Sequence, residues 1–194
     1  MPFHQPVLVV IPYLPSVNWF VKLRSNPAVA WHAHEITDKK HPRNRCVIAT
    51  AHGPQTLSVP LERGRNAKEP LSQRKPVAGD KWKREHVHAI RTAYGSAPFF
   101  IHYADELFER MTQPYDNLAS LNLALIELLL KWLRVDVHAV PPEGAVEEKT
   151  NSLVDIRYPQ VFEDKTGFQP NCSAIDLLFN RGPESVSILN RAAR

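Results

Sequence analysis

The hydrophobic period of this chain changes near Asp80, and that change restricts it to a mixed architecture. Upstream, apolar residues come in short β-branched runs cut by proline. Val7 to Ile11, stopped by Pro12, predicts a buried strand. Pro15-Ser16 then opens a helix over Val17 to Leu23, with Ser16 as N-cap. Ala28 to His34, Arg45 to Thr50 and Thr56 to Leu61 are strand-like, the last two joined through the turn residues Ala51-His52-Gly53-Pro54. Downstream, apolar residues recur every three or four positions. This predicts helices over Lys81 to Tyr94 (capped by Asp80), Phe99 to Met111, and Asn117 to Leu133 (capped by Asp116). Val135 to Val140 alternates as a further strand, a polar segment runs to about Asn151, and terminal helices follow. The expectation is an α/β fold, a single domain over residues 1–194, in which helices cover a central mixed sheet built mainly from the N-terminal half. At 194 residues such a domain buries roughly 70% of its unfolded surface.

Several function classes are argued against. The most apolar stretch, Leu118 to Leu133, carries Asn122, Glu127 and Lys131, so it reads as a core helix and no membrane span is expected. The N-terminus lacks the pattern of a secretory signal, and Cys46 with Cys172 makes no disulfide framework, so a cytoplasmic protein is expected. Neither Gly-x-Gly-x-x-Gly nor Gly-x4-Gly-Lys-Ser/Thr occurs. No nucleotide cofactor is therefore expected, and any group this protein transfers would arrive already activated. Between Leu61 and Arg84, Arg63, Arg65, Lys68, Arg74, Lys75, Lys81, Lys83 and Arg84 face only Glu62, Glu69 and Asp80. That stretch is either a solvated basic loop or a receptor for phosphate-bearing ligands. Nucleic acid is disfavoured because no aromatics interleave with the charges as a stacking platform. The Glu62–Gly79 part shows no apolar anchors and is expected to be unfixed without ligand.

Three groups of residues could carry chemistry. On the helix from Lys81, His86 shares a stripe with Trp82, Ile90 and Ala93, while His88 falls on the far side. His86 is a satisfied core histidine or a general base, since imidazole titrates near neutrality. The pairs His32/His34 and His86/His88 invite a metal, but no third ligand accompanies them and no metal site is expected. Alternation places Arg43 and Arg45 on one face, either as solvated cations or as forks that grip one carboxylate or phosphate. Cys46 points the other way, into the core. Asp176, inside Ala174-Ile175-Asp176-Leu177-Leu178-Phe179, needs a partner because burying a lone charge costs several kcal/mol. An arginine is the expected one. Asn122, in its apolar helix, needs partners too.

These residues sit in strings that resemble the WbqC-like family, some of whose genes lie in bacterial O-antigen clusters. The strings are Tyr13-Leu14-Pro15, Glu35 with Lys39, Arg43-Asn44-Arg45-Cys46, Leu57-Ser58-Val59-Pro60, Trp82 with His86 and Tyr94, Ala97-Pro98-Phe99-Phe100, and Leu121-Asn122. Tyr158-Pro159-Gln160, Gly167-Phe168-Gln169-Pro170-Asn171 and the Asp176 segment ending in Asn180-Arg181-Gly182-Pro183 complete the resemblance. The chain looks like the shorter branch. It departs from related sequences at Lys39-Lys40-His41-Pro42, where they read Lys-Gln-x-Tyr. The resemblance implies glycine transfer onto amino sugars of surface polysaccharide. An anionic small-molecule or carrier-linked donor and an amino-sugar acceptor would be the partners. On that reading His86 deprotonates the acceptor and Asp176 orients the site. Arg43 and Arg45 hold an anion, and Asn44, Glu35, Lys39, Tyr13 and Asn122 line the substrate. The alternative is a non-catalytic module that binds a phosphorylated metabolite or a carrier protein.

Overall fold

The computed structural model describes residues 6–26, 28–36, 43–62, 69–147 and 154–193. The first strand, β1 (Val7–Val9), leads through α1 (Val17–Arg24) to β2 (Ala28–Trp31), which pairs parallel to β1. Two short strands complete this sheet: β5 (His138–Ala139) beside β2 and β6 (Val146–Glu147) beside β1, giving the order β5-β2-β1-β6 with every pairing parallel. Val29 and Ala30 are fully buried, as expected of an inner parallel strand covered on both faces.

The strands β3 (Arg45–Thr50) and β4 (Gly53–Ser58) form a separate antiparallel hairpin. The α/β character is as expected, but the strands divide between two sheets rather than joining one. The physical reason lies in the hairpin, whose Thr50↔Gly53 register closes it on itself through Ala51 and His52, with Gly53 at φ 98°. The expected strand over Val135 to Val140 shrinks to two residues, because Val135 instead donates its N–H back to Leu130 and packs into the core. Conversely, β6 lies in the segment expected to be irregular.

The helices α2 (Lys81–Tyr94), α3 (Phe100–Thr112) and α4 (Leu118–Leu133) follow the predicted stripes. On α2 the buried residues are Trp82, His86, Ile90, Ala93 and Tyr94. Asn117, not Asp116, caps α4: its side chain accepts from Ser120 N–H at 2.9 Å, and Ser120 Oγ meets the Asn117 N–H at 3.4 Å. The chain ends in α5 (Glu163–Thr166), α6 (Ala174–Arg181) and α7 (Glu184–Ala192). One hydrophobic cluster joins residues of both sheets and these helices, from Ile11 and Phe20 through Ile48, Leu125 and Phe179 to Leu189. Among the described residues no helix is long and apolar enough to cross a membrane.

The basic stretch is better anchored than its composition implies. Leu71 is fully buried in a 3-10 turn, Leu61 bridges Pro76, and Ile36 bridges Pro70. Arg63, Arg65 and Lys68 lie outside the described residues, as does Lys39.

Candidate functional site

β1 lies between β2 and β6, so the chain leaving it turns to one side while the later strand arrives on the other. Open parallel sheets hold ligands at such a point, outside the carboxyl ends of the strands. The residues leaving β1 there are Pro12, Tyr13 and Leu14, the last at φ 41°. Those leaving β2 run from His32, whose N–H donates to the Val9 carbonyl at 2.9 Å, to Glu35.

Asn122 of α4 stitches these ends together. Its fully buried Nδ2 donates to the carbonyls of Ile11 at 2.8 Å and Arg43 at 2.9 Å. The Tyr13 N–H reaches the same Arg43 carbonyl at 2.9 Å. Arg43 turns its fork onto Glu35, with Nε to Oε2 at 2.8 Å and the second nitrogen to Oε1 at 2.5 Å. Both side chains are less than one-fifth exposed, so this bidentate pair is largely desolvated. Arg43 is therefore paired with a carboxylate of its own chain. Arg45 is exposed and makes no ion pair among the described residues. Asn44 extends the hairpin ladder, donating from Nδ2 to the Val59 carbonyl at 2.7 Å and accepting from Val59 N–H at 2.8 Å.

His86 enters this group from α2. Its Nδ1 lies 2.9 Å from the Tyr13 hydroxyl, and the Trp82 ring stands edge-on to it at 5.3 Å. Burial lowers the His86 pKa below 6.5, with the Ser58 carbonyl and Glu85 pulling weakly the other way. Burial also raises the Tyr13 pKa well above 10.0. The phenol accordingly keeps its proton and donates it to Nδ1, leaving the ring's other N–H for the Ser58 carbonyl. His86 is thus neutral and fixed in one tautomer.

Asp176 belongs to a second cluster. Its Oδ2 accepts from the Tyr158 hydroxyl at 2.8 Å and from Gln160 Nε2 at 2.7 Å. Gln160 is itself held by the Gln169 backbone, accepting at Oε1 at 2.7 Å and donating to the carbonyl at 3.0 Å. Burial pushes the Asp176 pKa up, and Tyr158, Gln160 and Tyr94 pull it back. Among the described residues Oδ1 has no hydrogen-bond partner, nor does Oγ of Ser173 at the N-cap of the same helix. The expected arginine is absent: no hydrogen bond or ion pair joins Asp176 to Arg43, Arg45 or His86, because neutral donors already surround the carboxylate and Arg43 is taken by Glu35. The signal for those donors was present in the sequence, since Tyr158 and Gln160 belong to the Tyr-Pro-Gln string. The two clusters share α2: Tyr94, near Asp176, accepts the Ala49 N–H at 3.0 Å eight residues beyond His86. That spacing is about 12 Å along the helix.

Both thiols are inert. Burial raises Cys46 far out of range and Cys172 to about 12. Among the described residues no group of His, Cys, Asp or Glu could hold a metal ion. His34 Nδ1 instead meets Ser72 Oγ at 3.4 Å.

Residues 12–157 match the WbqC-like protein family, and the chain belongs to it. That span holds Tyr13, Glu35, Lys39, Arg43, Asn44, Arg45, His86 and Asn122, whereas Asp176 lies beyond it. The chain is also similar to uncharacterized protein Rv1507c of Mycobacterium tuberculosis, 26% identical over 198 residues that cover 78% of this chain and 82% of the relative. No solved structure matches.

Proposed function

We propose that this protein is an aminoacyl transferase, moving a glycyl group from a thioester donor to a sugar-linked amine during assembly of O-antigen-type surface polysaccharide, on the cytoplasmic side. One observation carries the proposal. Tyr13, Glu35, Arg43, His86 and Asn122 come from five separate segments, yet touch one another at the carboxyl end of the parallel sheet. In the proposed reaction the acceptor amine attacks the thioester carbonyl. The C–N bond forms, the C–S bond breaks, and the amine's proton passes to the Tyr13 oxygen as Tyr13 gives its own to His86 Nδ1. The departing thiolate takes the proton back, so the dyad returns to its starting state. Neutral His86 suits that task because a base must be unprotonated at the working pH. With Arg43 held by Glu35, the donor's anionic part falls to Arg45 and to the described part of the basic stretch, Arg74 and Lys75. Asp176 acts at a distance, through its place beside Tyr94 at the far end of α2.

A second reading, a non-catalytic module for a phosphorylated metabolite or carrier, is favoured by burial: Tyr13 is 0% and His86 5% exposed. Incubation with a glycyl pantetheine thioester and a free amino sugar, followed by mass spectrometry, separates the two readings. The transferase yields the glycyl amide and loses it in His86→Gln. Saturable binding without product at any pH between 6 and 9 would establish the module instead.

A further inference from the structure

α2 and α3 pack antiparallel. Lys83 Nζ, near the start of α2, donates to the carbonyls of Thr112 and Gln113 at 2.9 and 3.1 Å, at the end of α3. Further along, the Arg91 guanidinium lies over the Phe108 ring, 4.9 Å from its centroid. The outer edges of the two helices border an open, shallow cleft of about 420 Å³. Its floor is Val87 and Phe108, and one wall is Arg84, His88 and Arg91. These three fall at i, i+4 and i+7, one face of α2 over about 10 Å. All three are exposed, and neither arginine forms an ion pair among the described residues. Glu109 is the acid on the opposite wall. The cation–π contact with Phe108 restrains the Arg91 guanidinium beside the cleft before any ligand arrives. His86 lies roughly 200° round α2 from His88, so this cleft and the Tyr13–His86 cluster occupy opposite sides of one helix.

We propose that the α2–α3 cleft is a second binding site, for a phosphate monoester carried on a flat apolar body. The volume is that of a small-ligand pocket. The apolar floor takes the body, and two guanidiniums without an ion pair among the described residues, with an intervening imidazole, take the three phosphate oxygens. Charge decides the sign of the ligand, since two guanidiniums face one carboxylate. The site needs nothing from the transferase reading and stands or falls apart from it.

The test titrates the full chain with 1-naphthyl phosphate at low salt, followed by amide NMR. Inorganic phosphate and 1-naphthol serve as half-ligands. Saturable shifts centred on residues 84–91 and 108–112 are expected, with each half-ligand binding at least tenfold more weakly. Arg84→Ala/Arg91→Ala should weaken 1-naphthyl phosphate at least tenfold with an unchanged fold, since both side chains are exposed. Shifts centred elsewhere, 1-naphthol binding as tightly as its phosphate, or a double variant within threefold of wild type would each overturn the site.

Discussion

Asp176 is a carboxylate sealed among neutral donors, and its two oxygens fare differently. Among the described residues Oδ2 receives two hydrogen bonds while Oδ1 receives none. Replacing Oδ1 by an amide nitrogen keeps both hydrogen bonds to Oδ2 and removes the ionisable group that burial disfavours as an anion. Asp176→Asn should therefore hold its stability at pH 7 to within about 1 kcal/mol of wild type, or exceed it. Asp176→Ala should lose about 1–3 kcal/mol, because Tyr158 is left as a buried donor without an acceptor and Gln160 Nε2 keeps only the Gln169 carbonyl. Urea unfolding at pH 7 orders the two variants, and an Asn variant weaker than the Ala variant would contradict this reading. His86 gives a prediction in pH. Its folded pKa is depressed, so below 6.5 the unfolded chain takes a proton that the folded chain refuses. Its contribution to stability is complete above 6.5 and declines as the pH falls through the window beneath it. An NMR titration should place the ring's midpoint below 6.5; a midpoint at or above that value would refute the buried neutral histidine.

At the scale of elements, α6 ends where the sequence says it must. Gly182 at φ 49° closes the helix, and a Cβ built there would overlap the Phe99 ring. Gly182→Ala should cost about 1–3 kcal/mol from backbone strain and the displaced ring, with thermal unfolding as the check; an unchanged melting temperature would remove Gly182 from the account. Helices of this length announce themselves through periodicity, which is why the buried stripe of α2 was legible residue by residue. The short strands were not. Two residues of β6 carry no period, and its pairing with Val7 and Leu8 joins residues 139 positions apart in the chain. The α4 cap moved by one residue because Asn117 and Asp116 are both good caps, and only Ser120 at the third helical position favours Asn117. In the basic stretch, one leucine sufficed to fix a turn that charge composition concealed.

For the whole molecule, sequence reasoning picked out residues better than it picked out their partners. Tyr13, His86, Asn122 and Arg43 do meet, but the acid that neutralises Arg43 is Glu35, and Asp176 sits in a cluster of its own. Charge pairing of this kind follows from chain path rather than from any local pattern, so composition left it open. What emerges is α2 serving as a shared spine. His86 reaches the carboxyl end of the parallel sheet, Tyr94 reaches the Asp176 cluster, and the basic face looks outward between them. The central claim is that Tyr13 and His86 act as one proton-relaying dyad at that carboxyl end. It is tested most directly by glycyl transfer rates in Tyr13→Phe, which keeps the ring and deletes the shared proton. The account predicts a loss of roughly 10²–10⁴-fold at a temperature where the variant remains folded; a rate within threefold of wild type would contradict it.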